Sequence, residues 1–350
     1  MVTDNASVST TTLWFRHGLL IVVLCLVLVG VFPPGTIIAQ ESRTVITYRN
    51  VNAVEELLTI QHPHSNGVAY SPDSSILAVA TNTGVWLYDD ATPEQVRFLE
   101  HPHWVWSMDF SPDGSHIVTG TGWPDSSLRV WDVQSGDLLQ TWARHPKGVL
   151  AVAFSPDGGY IASASFDDVV RLWAAQTGDL YHAIVLPGHS KKTNFAAFSP
   201  DGTLLAAGGI DGVARVWDIP TGELLQVLTG HERGVRSLAL SRDGDLFAVG
   251  SIDDRVRVWN TEDADSSFGP LFTLERHTRA VSSIAFSPDG ILLVSGSVDS
   301  SMQVWDLQTG ELLRVTLGYG GAINSLAFSP DGSRFVSASW EGTIIIWGIP

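Results

Sequence analysis

Cysteine is almost missing from this chain. Cys25 stands alone, inside an N-terminal apolar run, and no cysteine follows it. A disulfide framework and any thiolate metal site are therefore excluded. Charge is also scarce: Asp, Glu, Lys and Arg make up 16% of the residues, and only 20 are basic against 37 acidic. The formal net charge of −17, with no long basic run, argues against nucleic acid as a partner, because phosphate binding depends on Lys and Arg. No Walker loop, dinucleotide fingerprint, Gly-x-Ser-x-Gly elbow or HExxH motif is present. Neither a resident metal nor a cofactor is expected.

Long apolar stretches are limited to one. Residues 18–32 are fifteen apolar residues in a row after Arg16 and His17, and Pro33, Pro34 and Gly35 break any helix behind them. That is short for a membrane span and at the upper end for the apolar core of an export signal. Ala39 suits the end of a cleavage site, whereas nothing before Cys25 suits lipidation. Residues 1–40 thus read as a cleaved signal or an uncleaved anchor. In either case residues 41–350 fold outside the cytoplasm, and acidity with such a signal fits an exported bacterial protein. Residues 41–49 read as a polar linker.

What is present in abundance is repetition. A Ser-Pro-Asp turn begins at Ser71, Ser111, Ser155, Ser199, Ser241, Ser287 and Ser329, with Arg242 replacing the proline in the fifth copy. Pro presets φ for the first turn residue, and the glycine after Asp supplies a positive φ. An aromatic ends an apolar strand at Tyr88, Trp131, Trp173, Trp217, Trp259, Trp305 and Trp347, in steps of 43, 42, 44, 42, 46 and 42 residues. Six positions earlier stand Asp125, Asp167, Asp211, Asp253 and Asp299, with Asn82 and Glu341 in the outer copies. Ten positions before the turn serine stand His101, His145, His189, His231 and His277, with Gln61 and Tyr319 in the outer copies.

Four landmarks at fixed offsets, copied seven times over about 300 residues, resemble the WD repeat. Each unit holds four short alternating segments, such as residues 148–154, 160–164, 169–173 and 180–185. The expected fold is all-β: a seven-bladed propeller with four antiparallel strands per blade. Only three residues follow Trp347, so the last blade lacks an outer strand, and residues 53–59 read as its replacement. Such closure removes an open edge, and a monomeric ring is expected.

His, Asp and Ser together tempt a catalytic reading. An active site is unique, however, and this set recurs around the ring. The resemblance implies a structural hydrogen-bond network in each blade instead, built from His, Asp, Ser/Thr and Trp. His62-Pro63-His64 and His101-Pro102-His103 are weak metal candidates without accompanying carboxylates. Residues 262–265, an acidic stretch, lack the spacing of a calcium loop.

The resemblance further implies that a protein or peptide binds on the face carrying the His loops, around the central channel. The variable positions there lie three and five residues after each His and one before each Asp. In this chain they give Trp104, Trp106, Phe166, Lys192, Asn194, Ile210, Arg236, Ile252 and Trp340 as the candidate partner-binding set. Exposed aromatic and apolar clusters mark interaction sites. The competing expectation is that these side chains only fill the channel. A small-ligand binder or hydrolase-like enzyme at the channel mouth is the alternative function.

Overall fold

The computed structural model describes residues 43–92, 94–142, 145–185, 193–261, 269–317 and 321–350. The N-terminal signal or anchor, His189, Lys192, Tyr319 and residues 262–265 lie outside the described residues, as does the side chain of Asn194.

Strand formation follows the alternation of small and β-branched residues between turns. Blade 3 shows the pattern: Val149–Phe154, Tyr160–Ser165, Val169–Ala174 and Leu180–Val185 pair consecutively and antiparallel. Seven four-stranded sheets of this kind form. The innermost strand of each sheet touches that of the next, and the seventh touches the first, which closes the ring. Seven apolar clusters make up the core, each shared by two adjacent sheets. Blade 1 contributes Leu87 and Leu99 to one such cluster, and blade 2 contributes Val105, Ile117 and Trp131. No sheet buries an apolar layer by itself; its neighbour supplies the other half.

The turns do mechanical work at the seams. Ser155 Oγ donates to Asp157 Oδ1 at 2.5 Å and accepts the Tyr160 N–H, and the other six turns repeat this pattern. Gly158 sits at φ +70, and a Cβ added there would meet the Pro112 ring of the preceding blade at 3.6 Å. Each such turn therefore leans on the previous one.

The ring closes as the sequence suggests, with a shift. The closing strand is Glu55–Gln61, not residues 53–59; it pairs antiparallel with Thr343–Gly348. Val51–Ala53 form a short 3₁₀ turn instead. That turn lets Ile46, Val51 and Val54 drop into the cluster between blades 6 and 7, each at most 2% exposed. Arg314 donates to the carbonyls of Val51 and Val54, and Arg43 and Arg334 share the buried carboxylate of Asp90 in blade 1. The strap thus ties three consecutive blades together.

Candidate functional site

The repeated polar residues meet as a relay inside the blade. In blade 3, Trp173 Nε1 donates to Ser163 Oγ at 2.8 Å, and Ser163 Oγ lies 2.7 Å from His145 Nε2. His145 Nδ1 then faces Asp167 at 3.2 Å. With Trp as donor, this order assigns the Nδ1 proton of the imidazole toward the carboxylate. Blade 6 repeats the arrangement with Trp305, Ser295, His277 and Asp299. Desolvation dominates at His145, whose pKa is lowered despite Asp167. Asp167, held by His145 and Arg171, is pulled down to about 2 against its own desolvation.

Other blades depart from this pattern for identifiable reasons. In blade 2, His101 Nε2 bonds Thr119 at 2.8 Å, but Nδ1 faces the Leu99 carbonyl rather than Asp125. The hairpin there is longer, and Asp125 turns to Thr121, Ser127 and Arg129. Asp125 therefore leaves the histidine network. In blade 1 the network histidine is His62, one residue beyond Gln61. Val79 replaces the serine, and Tyr88 compensates by reaching His62 Nε2 directly with its own hydroxyl at 2.8 Å. Gln61 instead accepts from Thr343 on the closing strand's partner.

Two further blades lack the central hydroxyl: Ala207 and Val249 stand at its position in blades 4 and 5. Trp217 and Trp259 are still buried beside them. Asp211 pairs with Arg215, and Asp253 holds both His231 and Arg257. His231 Nε2 has no side-chain partner, because Val249 offers only its backbone. Ser163→Ala should leave a buried imidazole nitrogen and an indole N–H unpaired, at a cost of about 2–4 kcal/mol. Val249→Thr should raise stability by about 1 kcal/mol. Urea denaturation of both variants checks the pair, and a harmless Ser163→Ala would contradict the relay.

At the same end of the blades, backbone bonds join the two sets of variable positions. The N–H groups of Phe166, Ile252 and Trp340 donate to the carbonyls of Gly148, Gly234 and Ala322, three residues after the histidine position. Trp104, Trp106, Phe166, Ile210, Arg236, Ile252 and Trp340 all line one central channel of about 840 Å³. Trp106 packs edge-on to Phe166 with centroids 5.3 Å apart, and both are half-buried. Trp104 and Trp340 remain 38% and 46% exposed, stacked around His64 with centroids 5.7 to 6.2 Å apart. Trp106 and Phe166 thus go part of the way toward filling the channel, while the other two tryptophans face water.

Sequence reasoning missed two residues here. Trp123, 76% exposed, lies in the longer hairpin of blade 2, whose backbone abuts Gly148 of blade 3. The extra hairpin length was its only signal. Asp109 lines the channel where the other six blades have alanine, and it accepts the Phe154 N–H at 2.7 Å. Desolvation pushes its carboxyl up to about 7. Arg236 is open to water from within the channel yet walled by protein, and desolvation lowers its pKa. The histidine pairs do not converge: His62 and His101 are taken by Tyr88 and Thr119, and no group of three metal-capable side chains occurs among the described residues.

Seven sheets, closed head to tail around a channel, with a Trp-Ser-His-Asp relay complete in two of them, define a repeat propeller. The chain belongs to the WD-repeat family of β-propellers. Residues 93–132 and 136–174 match the family model described as WD domain, G-beta repeat, and residues 192–349 match the IFT122 first beta-propeller model. A WD40 repeat-containing protein of Dictyostelium discoideum is 35% identical over 79 residues, 21% of this chain. A target of rapamycin complex subunit of Schizosaccharomyces pombe is 37% identical over 82 residues, 22% of this chain. Subunit I of eukaryotic translation initiation factor 3 from Phaeosphaeria nodorum is 43% identical over 42 residues, 12% of this chain. The matched stretches span only 12%, 26% and 12% of those proteins' own lengths.

Proposed function

We propose that this propeller is a non-catalytic scaffold that binds a protein or peptide segment across the channel mouth, outside the cytoplasm. The observation that carries this reading is the exposure of Trp104, Trp123 and Trp340 at one end of a rigid ring. Single exposed apolar residues are ordinary on a soluble surface, but clustered tryptophans characterise binding hot spots. Two of the relatives are named as subunits of assemblies, which supports a protein partner. The apolar run at residues 18–32 supports export. Ile46 bonds Gly332 in a Ser-Pro-Asp turn, at the end of the ring opposite the mouth.

Asp109 and the channel volume favour a small-ligand reading. A lone carboxyl bonded to a backbone amide supplies neither a nucleophile-base pair nor a second acid, so the scaffold reading stands ahead.

Immobilised wild-type chain and the double variant Trp104→Ala/Trp340→Ala, incubated with envelope proteins of the host, test the proposal. The wild type should retain a discrete partner and the variant should lose it, with binding weaker by about a hundredfold (about 1.4 kcal/mol for each tryptophan). Melting should change little, since both side chains keep a large water-facing surface and pack mainly on each other and on His64. A large fall in melting temperature would instead assign the tryptophans to channel filling.

A further inference from the structure

Four cations share one sequence position in the loops that enter the blades: Lys191, which lies outside the described residues, and three that are described. Lys147, Arg233 and Arg279 each stand two residues after the network histidine and immediately before the rim position. The same bond fixes all three backbones: Ser165, Ser251 and Ser297 donate to their carbonyls at 3.1, 2.9 and 2.8 Å. All three side chains are exposed. None forms an ion pair with a described residue.

The acids of that face are largely spent. Asp125, Asp167, Asp211 and Asp253 each hold the arginine four residues on, and Glu275 holds Arg255. Glu232 also reaches Arg255, at 3.9 Å, and Asp168, Asp254 and Glu341 are the further acids of those turns. The opposite end carries the seven turn aspartates together with Asp89, Asp132, Asp218 and Asp306. Among the described residues, Lys147, Arg233 and Arg279 thus stand together at the mouth without an ion pair, whereas Arg242 stands alone among the acids of the opposite end.

Arg236 extends this pattern into the channel. At its position in blades 6, 7 and 1, Ser282, Asn324 and Asn66 each donate to a backbone carbonyl of the following blade, those of Ile323, Ser65 and Val105. These bonds stitch that part of the ring. Arg236 makes no such bond and stands in the channel with Ile210, Ile252 and Phe166.

We infer that the mouth selects an acidic peptide segment, in which carboxylate side chains flank an apolar one. The apolar side chain packs against Trp106, Phe166, Ile210 and Ile252. One carboxylate takes the fork of Arg236, and others meet Lys147, Arg233 and Arg279. A desolvated guanidinium without a partner gains most from a carboxylate that matches its fork. Apolar walls beside it favour a peptide over a sugar-phosphate strand, which the acidic remainder of the chain would repel. This inference rests on the scaffold reading and specifies its ligand.

Selection from a display library of short random peptides on the immobilised full chain tests it. Wild type should enrich sequences with Asp or Glu next to a large apolar residue. The variant Lys147→Gln/Arg233→Gln/Arg279→Gln should show a clearly weaker acidic bias while retaining apolar enrichment. Arg236→Gln should weaken the selected peptide roughly tenfold, and amidating the peptide's carboxylates should produce the same loss in the wild type. All variants should melt like the wild type. Enrichment of neutral or basic peptides overturns the inference and leaves the scaffold reading intact. A DNA oligonucleotide that competes as well as the acidic peptide also overturns it. No enrichment by the wild type at all overturns both readings.

Discussion

Removing residues 43–61 from the chain should abolish the folded ring. The deletion takes away the outer strand of blade 7 and uncovers Thr343–Gly348 as an open edge. It also withdraws Ile46, Val51 and Val54 from the seam between blades 6 and 7. Burying each such side chain contributes about 1.5–3 kcal/mol. Their sum approaches the ~5–15 kcal/mol that holds a typical domain together, before any ladder bond is counted. The expected result is insoluble expression, or a melting transition without cooperativity. A milder version, Ile46→Ala, should cost about 2–5 kcal/mol through the cavity it leaves. Calorimetry of that variant, with the strand itself intact, separates packing at the seam from closure of the sheet. An unchanged transition after the full deletion would show that the ring holds without its strap.

Acidification should weaken the protein well before its paired carboxylates titrate. His101 is buried and held down to about 4, and His62, His145 and His231 are lowered for the same reason, desolvation. Below their ordinary value of 6.5, the unfolded chain takes up protons that the folded ring refuses. Stability is therefore fully present above 6.5 and is lost as the pH falls toward 4. His101 alone accounts for about 3 kcal/mol of that loss, at ~1.4 kcal/mol per unit.

Asp109 acts with the opposite sign. Its raised pKa means that the folded state keeps a proton the unfolded chain releases near 3.8, so it costs stability as the pH rises toward about 7. Asp109→Asn should thus raise the melting temperature near pH 8, by roughly 2–4 °C per kcal/mol recovered, and should give little gain near pH 4. It should also steepen the acid limb, since the compensating proton uptake is gone. Melting curves across this range check both signs. A Asp109→Asn increment that does not vary with pH would remove the carboxyl from the account. The depressed Asp167 joins only below about 3.8, where its stabilising contribution fades toward 2.

Much of the fold was legible because its signals are local. A Ser-Pro-Asp-Gly turn needs only its own residues to close, and the aromatic six residues after the acid lies on a strand whose register the same repeat sets. The closing strand was legible as a missing piece, but its boundary was not. Val51–Ala53 turn because Ile46, Val51 and Val54 must reach a seam made by blades 6 and 7, and that demand comes from residues far along the chain. Gln61 was read for His62 because a one-residue difference in loop length cannot be seen from offsets measured on other copies. The rim tryptophans were legible through the repeat. Lys147, Arg233 and Arg279 also share an offset, two after the histidine, yet a scattered lysine or arginine in a loop normally signifies solvent contact alone.

The sequence by itself determined that seven similar sheets form, because each turn, strand and relay is built from residues within about forty positions of one another. Only the tertiary structure decided which side chains are short of partners. Asp109 became costly, and Arg236 came to stand without the bond its counterparts make, because neighbouring blades wall the channel. Burial of that kind is a property of the closed ring. No single repeat contains the surfaces that create it.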